Sequence, residues 1–187
     1  MPRSMGVKPS FFFLFLLHRF ISLFHRSRGV RVGRYCRISP LSLILNTANG
    51  EVALSNNVRI SPFVFIDSGG GSIAIGSNCS INPFCAIYGH GGLTIGNFVR
   101  IAAGTVIIPA NHRFDELGIP ISRQGLNLKG IQIDDDVWIG SGCRILDGVH
   151  IGTGCVIGAG SVVTSSLPSN SVSVGVPARV IRYRQAS

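Results

Sequence analysis

A histidine stands in the longest segment that interrupts the internal repeat of the chain, IIPANHRFDELGIPISRQG. His112 lies near its middle, and Asp115 follows three residues later. Histidine is the commonest general base in enzymes, because its ordinary pKa near 6.5 lets it exchange protons close to neutral pH. A lone histidine is more often a surface or packing residue, and Asp115 could cap a turn instead of orienting the imidazole. The long excursion favours the catalytic interpretation.

Outside that segment, an aliphatic residue recurs every six positions in sets of three. The sets are Val32, Ile38, Ile44; Leu54, Ile60, Ile66; Ile75, Ile81, Ile87; Ile95, Ile101, Ile107; Ile133, Ile139, Ile145; and Ile151, Ile157, Val163. Six is not a helical period and β-branched residues favour strands, so each hexad predicts a short strand and a turn. A fixed period of this kind indicates an all-β solenoid whose stacked coils share one core.

Insertions occur only after the third hexad of a set, as between Ile87 and Ile95. Three hexads therefore form one triangular coil, and about six coils are expected. Because every insertion leaves from the same edge, Tyr88 and His90 in the excursion YGHGG should lie on the edge of His112, one coil earlier. Loops on a rigid scaffold commonly carry function, so this edge is the predicted site.

The five cysteines share one position in the hexad, two residues before the next aliphatic residue; they are Cys36, Cys79, Cys85, Cys143 and Cys155. The period of two along a strand turns both positions inward, so the cysteines should be small core residues. Their number is odd and no CxxC occurs, which disfavours disulfide and metal interpretations. A reducing compartment, and hence a cytoplasmic location, follows as the expectation.

Basic charge is concentrated at the N-terminus. Residues 1–50 hold eight Arg or Lys and no acid, whereas the other 137 residues hold nine basic and eight acidic side chains. A basic end on a near-neutral body argues against nucleic acid and for a local anionic partner such as a membrane surface. The apolar run of residues 11–17 is too short to cross a bilayer. Residues 1–29 are therefore expected to form an interfacial helix; the alternatives are packing on the body or a neighbouring subunit, or a signal peptide.

The hexads, with ANHRFD, DDVWIGSGCRILDGVHIGTGCVIGAGSVVT and VSVGVPARVIR, resemble the left-handed β-helix acyltransferases of the hexapeptide-repeat family. The branch most similar is that of sugar and polysaccharide O-acetyltransferases, such as the maltose, galactoside and capsule enzymes. The resemblance covers residues 30–184. It implies a left-handed parallel β-helix over residues 30–165 with a catalytic loop at 108–132, a CoA-binding tail at 166–187, a homotrimer with active sites between subunits, acetyl-CoA as co-substrate and no required metal.

The resemblance also implies roles on the acceptor side. It makes His112 the base, assisted by Asp115, and Asn82 a ligand of the acceptor hydroxyl, although an Asn also suits a turn amide. Tyr88 and His90 are weaker acceptor candidates. Trp138, the only Trp, should face outward beside the substrate cleft or at a subunit interface.

On the donor side, small residues would let pantetheine approach the backbone, and arginines of the tail would bind CoA phosphates. The expected donor residues are Gly140, Gly158, Ala159, Gly160, Ser161, Arg179 and Arg182. Ser165 stands where the family often has Lys, which leaves one phosphate contact unassigned.

The expected function is transfer of acetyl from acetyl-CoA to a hydroxyl of a sugar or cell-surface glycan precursor, in the cytoplasm or at the inner face of its membrane. An amino-sugar N-acetyltransferase is the main alternative. A metal enzyme like the γ-class carbonic anhydrases is disfavoured, because His90, His112 and His150 are far apart in sequence. A non-catalytic scaffold is the remaining alternative.

Overall fold

The computed structural model describes residues 20–21, 23–27 and 29–185. Residues 20–21 and 23–27 are helical, and a short 3₁₀ helix spans Ile121–Arg123. The strands, in chain order, are β1 Arg31–Val32, β2 Arg37–Ile38, β3 Leu43–Leu45, β4 Glu51–Leu54, β5 Arg59–Ile60, β6 Phe65–Asp67, β7 Ser72–Ile75, β8 Ser80–Ile81, β9 Ala86–Tyr88, β10 Leu93–Ile95, β11 Arg100–Ile101, β12 Val106–Ile108, β13 Asn111–His112, β14 Leu126–Asn127, β15 Ile131–Ile133, β16 Trp138–Ile139, β17 Arg144–Leu146, β18 His150–Ile151, β19 Val156–Ile157, β20 Val162–Val163, β21 Ser171–Gly175 and β22 Ala178–Tyr183.

Three sheets form the sides of a triangular solenoid, and each coil gives one strand to each sheet. Sheet A has the order β1-β4-β7-β10-β15-β18, sheet B β2-β5-β8-β11-β16-β19-β21-β22, and sheet C β3-β6-β9-β12-β17-β20. The predicted hexads pair in register, and Ile107 pairs with Ile145 across the long excursion. Six coils and the all-β class are thus confirmed.

The core is a column of aliphatic side chains. All eighteen hexad positions are buried, with at most 6% exposure. The five cysteines are free and buried among them, as the period predicted. Burial raises the pKa of the Cys79 thiol, and Cys85 and Cys143 are shifted in the same direction for the same reason. Close stacking requires small corner residues: a Cβ on Gly76 would lie 2.4 Å from the carbonyl oxygen of Gly96.

The tail continues the solenoid. Leu167 bridges to Ile151 of sheet A, and β21 adds a seventh parallel strand to sheet B beside β19. The chain then reverses, so that β22 pairs antiparallel with β21. Residues 166–185 therefore pack as part of the repeat architecture and end it with a hairpin.

The N-terminal helix covers the first coil. Ile21 and His25 are buried, Ile21 against the common core, while the Arg26 guanidinium donates to the carbonyl of Val32 through Nε at 3.1 Å. Its outward face carries exposed Phe20 and Leu23. No described helix is long and apolar enough to cross a membrane. The apolar run of residues 11–17, on which the expected membrane contact depends, lies outside the described residues.

Candidate functional site

The long excursion folds into a β-hairpin arm, residues 109–130. Strand β13 pairs antiparallel with β14, so that Asn111 faces Asn127 and His112 faces Leu126. A further backbone hydrogen bond, from Arg113 N to Gly125 O at 3.0 Å, closes the ladder. The arm therefore has its own regular structure although it lies outside the repeat.

The root of the arm is held on both sides. A Cβ on Gly91 would lie 2.3 Å from the carbonyl oxygen of Pro109, so only glycine lets the preceding coil approach so closely. On the other side, the Asp147 carboxylate accepts from the backbone N–H groups of Lys129 at 3.0 Å and Gly130 at 2.9 Å. Sequence reasoning missed Asp147, whose hexad position follows Leu146 at the same edge.

His112 is exposed on the arm. No hydrogen bond of the described residues joins its imidazole to another protein atom, and Asp115, also exposed, is not bonded to it. The single chain thus presents the imidazole to solvent without an orienting carboxylate. The role of Asp115 as its orienting partner remains a prediction.

Tyr88 and His90 lie on the edge between sheets C and A, which we call the arm edge. The His90 ring covers Gly69, where a Cβ would lie 2.6 Å from its Nε2. Tyr88 stands 5.8 Å from His90 between ring centroids, and 5.6 Å from Phe65 on its other side. The Nδ1 atom of His90 is buried without a protein partner. The structure therefore gives these rings packing contacts and places them one coil before the arm, as predicted.

The other acceptor candidates lie around sheet B. Asn82, half-buried, follows β8 and donates from Nδ2 to the carbonyl of Ile101 at 2.9 Å, which is the turn role considered above. Its Oδ1 accepts no hydrogen bond from the described residues. Trp138 faces outward from β16, 56% exposed, between Arg100 and Val156 on the neighbouring strands.

The edge between sheets B and C, which we call the glycine edge, carries large side chains in early coils and glycines in later ones. Phe63 and Phe84 occupy its left-handed corner positions in early coils and stack at 5.3 Å. The equivalent positions in later coils are Gly104, Gly142 and Gly160. A Cβ on Gly142 or Gly160 would meet nothing within 4 Å. The last three coils therefore leave an open, uncluttered path along the backbone.

The donor candidates divide into exposed and internal residues. Ala159 and Gly160 are exposed at the glycine edge. Gly140 instead lets coils stack, since its Cβ would lie 2.6 Å from the backbone nitrogen of Ala159, and Gly158 similarly makes room for Val174. The Ser161 side chain is fully buried: its hydroxyl donates to Gly158 O at 2.7 Å and accepts from Gly175 N. The Ser161 side chain therefore occupies the inward slot of its hexad, and a contact of CoA with its backbone remains a prediction.

Arg179 and Arg182 are both exposed on β22, the last strand of sheet B. The Arg179 guanidinium bonds the carbonyl of Ala178 at 2.9 Å. These arginines lie at the same end of the solenoid as Ala159 and Gly160, so one extended ligand could contact both groups.

A third histidine, considered above only as a metal ligand, has an acidic partner. His150 Nε2 lies 2.9 Å from Asp134 Oδ2 on the outer face of sheet A. Partial burial opposes ionisation of Asp134, but hydrogen bonds from Gln132 and His150 prevail and lower the pKa of its carboxyl. His150 borders an open groove of about 380 Å³ that is also lined by Lys129 at the arm root. The hexad period could have indicated this contact. Ile133 and Ile151 pair on neighbouring strands, so the residues next to them, Asp134 and His150, are also close.

The candidate residues of one chain fall into two separate groups. His112, Tyr88 and His90 belong to the arm edge, whereas Asn82 and Ala159 belong to the glycine edge. The width of sheet C, about six residues or roughly 20 Å of extended chain, separates the two edges. Within the described residues, no hydrogen bond or ring contact joins the groups. The described residues also contain no cluster of three or more His, Cys, Asp or Glu able to hold a metal ion.

Residues 130–165 match the family model described as bacterial transferase hexapeptide (six repeats). The match covers 36 of the 187 residues. The described part of the chain has the fold of the left-handed parallel β-helix.

The chain is similar to galactoside O-acetyltransferase from Escherichia coli, with 38% identity over 102 residues, covering 51% of this chain and 50% of that protein. It spans between about a quarter and a half of the length of the curated relatives it matches.

Among solved structures, it is similar to an N-acyltransferase, AntD from Bacillus cereus, in complex with dTDP-4-amino-4,6-dideoxyglucose and coenzyme A. The TM-score is 0.76 and the identity 28%, covering 89% of this chain and 90% of that one. It is also similar to the hexapeptide-repeat acetyltransferase VCA0836 from Vibrio cholerae, with a TM-score of 0.64, 26% identity and coverage of 90% and 82%. The likeness to solved structures extends over nearly the whole chain.

Proposed function

We propose that this protein transfers an acetyl group from acetyl-CoA to a hydroxyl of a sugar or glycan precursor, with His112 as general base. The observation that carries the proposal is the placement of His112: an exposed imidazole on the one arm that interrupts the repeat. The arm stands on a scaffold similar to acyltransferases whose structures contain coenzyme A. A scaffold that only bound partners would not need a titratable group at this position.

The chemistry is direct transfer. The imidazole of His112 takes the proton from the acceptor hydroxyl while the hydroxyl oxygen attacks the thioester carbonyl carbon. The carbon–sulfur bond then breaks, and the imidazolium returns the proton to the departing CoA sulfur. The products are an acetyl ester and free CoA, and no acetyl-enzyme forms. The Oδ1 atom of Asn82 is suited to accept from another hydroxyl of the same acceptor.

The donor fits the glycine edge. Gly142 and Gly160 leave the backbone open there, so a slender pantetheine chain can lie against it without displacing side chains. Arg179 and Arg182 lie at the same end and are suited to the phosphates of CoA by charge-assisted hydrogen bonds. The open backbone and the two arginines support a donor site along the last three coils.

The division of the site between two edges supports a homotrimer. One chain holds the base on one edge and the donor path on the other, so an active site is completed when the arm of one subunit meets the glycine edge of the next. The arm carries exposed apolar side chains that would need cover, among them Phe114 at 68% and Leu117 at 97% exposure. Trp138 on sheet B offers an apolar surface to such a contact.

N-acylation of an amino sugar is the second candidate, because the solved N-acyltransferase matches nearly the whole chain, whereas the O-acetyltransferase matches about half. The two functions use the same donor and differ in the nucleophilic atom. They therefore make different predictions about the product bond and not about CoA binding.

The test is thiol release from acetyl-CoA with matched acceptor pairs, each a sugar and its amino-sugar counterpart, followed by alkaline hydroxylamine treatment of the product. An O-acetyl ester is cleaved by hydroxylamine and an amide is not. We expect release with hydroxyl acceptors and a cleavable product. A resistant product formed only from amino sugars would replace the first function by the second, and no release from any acceptor would overturn both.

A further inference from the structure

The outer face of sheet B carries a row of arginines in its early coils. Strand pairing places Arg37 beside Arg59, Arg59 beside Ser80 and Ser80 beside Arg100. Trp138 follows directly on the next strand. We call Arg37, Arg59, Ser80 and Arg100 the arginine strip. At about 4.8 Å per strand, its three guanidinium groups are distributed over roughly 14 Å along the solenoid axis.

The strip encloses a small cavity. Its volume is about 80 Å³, and the three arginines and Ser80 line it. The Arg100 guanidinium is held at the rim by hydrogen bonds to backbone carbonyls of Asn78 and Val99. Arg37 and Arg59 form no side-chain hydrogen bond with another described residue. One guanidinium is thus positioned in advance, and two are available to a ligand.

No ion pair of the described residues involves an arginine of the strip. The ion pairs of the described residues are Arg31 with Glu51, His150 with Asp134, and Arg184 with Asp136, none of which involves a strip arginine. The residues outside the described part contain no Asp or Glu. Like charges directly opposite on neighbouring strands repel, so Arg37 beside Arg59 is an unfavourable pair unless an anion lies between them.

The row favours an extended anion with more than one negative charge. Arginine binds phosphate oxygens through two parallel hydrogen bonds, and a single phosphate cannot contact groups spread over the whole strip. The donor path proposed above occupies the glycine edge of the last three coils, near Arg179 and Arg182 and at the far end from Arg37. The outer face of sheet B in the first four coils is therefore left to the acceptor.

We propose that the arginine strip binds the diphosphate group of an activated acceptor, a sugar linked through diphosphate to a nucleoside or to a lipid. This inference rests on the proposed function and names its substrate class. The diphosphate lies over Arg37, Arg59 and Arg100, and the sugar extends towards Trp138, the next side chain along the row.

The first experiment measures binding of inorganic pyrophosphate by isothermal titration calorimetry, without any acyl transfer. The strip variant is Arg37→Gln with Arg59→Gln, and its matched control is Arg31→Gln with Arg34→Gln, which removes two exposed arginines from the first coil outside the strip. Because a charge-assisted contact is worth about tenfold in affinity, we expect at least that loss in the strip variant and a change within about twofold in the control. Equal binding by both variants would overturn the proposal, as would absence of binding by the natural chain.

Two further measurements distinguish a diphosphate of CoA, of a nucleotide-linked acceptor and of a lipid-linked acceptor. Saturating CoA should leave pyrophosphate affinity within about twofold of its value without CoA, whereas mutual exclusion would assign the strip to the donor and overturn the proposal. A preference for dTDP over pyrophosphate would support a nucleotide-linked acceptor, and a preference for farnesyl diphosphate a lipid-linked one. Dissociation of the strip variant in light scattering would reassign the arginines to subunit contacts.

The outcome is separable from that of the proposed function. If pyrophosphate binds through the strip but no acceptor releases thiol from acetyl-CoA, the strip stands and the enzymatic function fails. If neutral sugars release thiol equally well with the natural chain and the strip variant, while pyrophosphate does not bind, the function stands and the strip proposal fails.

Discussion

Replacing His112 by Ala tests whether the arm supplies the general base. The side chain is exposed and has no hydrogen bond to another described residue, so its loss should change the free energy of unfolding by no more than about 0.5 kcal/mol. Removal of a general base typically costs about 10² to 10⁴ in rate, which corresponds to about 2.7 to 5.5 kcal/mol of activation free energy. The catalytic effect should therefore exceed the effect on folding by severalfold.

The assay is thiol release at saturating acetyl-CoA with the best acceptor, together with a thermal melt. We expect kcat to fall by at least about a hundredfold, KM for acetyl-CoA to change little and Tm to stay within about 2 °C. His150→Asn is the control, because His150 is the histidine with an acidic partner, and it should retain turnover within about twofold. Full turnover by His112→Ala, or an equal loss in His150→Asn, would refute the assignment and in the second case move the base to sheet A.

Four other outcomes are expected. Replacing Arg179 and Arg182 together by Ala should raise KM for acetyl-CoA about tenfold or more at unchanged kcat, and an unchanged KM would place the CoA phosphates elsewhere. Light scattering should give three times the mass of one chain; a monomer would contradict both the trimer and the shared site. The folded-state pKa of Asp134 is lowered, so its ionised form stabilises the fold above pH 4 by at most about 1 kcal/mol, and the contribution is lost as pH falls through that lowered pKa. The stability difference between the natural chain and Asp134→Asn in denaturant titrations should accordingly shrink below pH 4, and a constant difference would exclude this linkage. Co-sedimentation with anionic liposomes should be lost in a shortened chain beginning at Gly29 and should weaken with salt; equal binding by both chains would assign the N-terminal helix to packing alone.

The solenoid could be predicted because the period of six determines which residues of neighbouring coils pair. An aliphatic residue at every sixth position must point inward, so Ile107 and Ile145 could be assigned to neighbouring strands although 38 residues separate them. The inward slot of the cysteines followed from the same period. The hairpin form of the arm could not be predicted, because His112 and Leu126, which pair across it, lie outside the hexad period.

The candidate site was harder to predict from the sequence than the solenoid, for a different reason. His112 and the edge on which it lies could be predicted from the sequence. The outward residues of a strand are not constrained by core packing, so the side chains beside them depend on the neighbouring coils. The arginine strip is an example: Arg59 and Arg100 are 41 residues apart in sequence, but only the coil of Ser80 lies between them, so both line one cavity. Pairing of Asp134 with His150 follows from the same geometry. Such contacts can be found from the repeat when outward positions are also aligned coil by coil.

The C-terminal hairpin has a bearing on how the protein behaves at high concentration. A β-solenoid ends in unpaired strand edges, and an exposed edge is a template on which another copy can continue the stack into a fibre. Here β22 runs against the direction of β21 and occupies the last edge of sheet B, so a second solenoid arriving at this end meets a strand of the wrong polarity. Arg179 and Arg182, exposed on that strand, add positive charge that repels an identical end. The hairpin that is suited to hold a donor phosphate thus also covers the edge of sheet B from which the stack could continue.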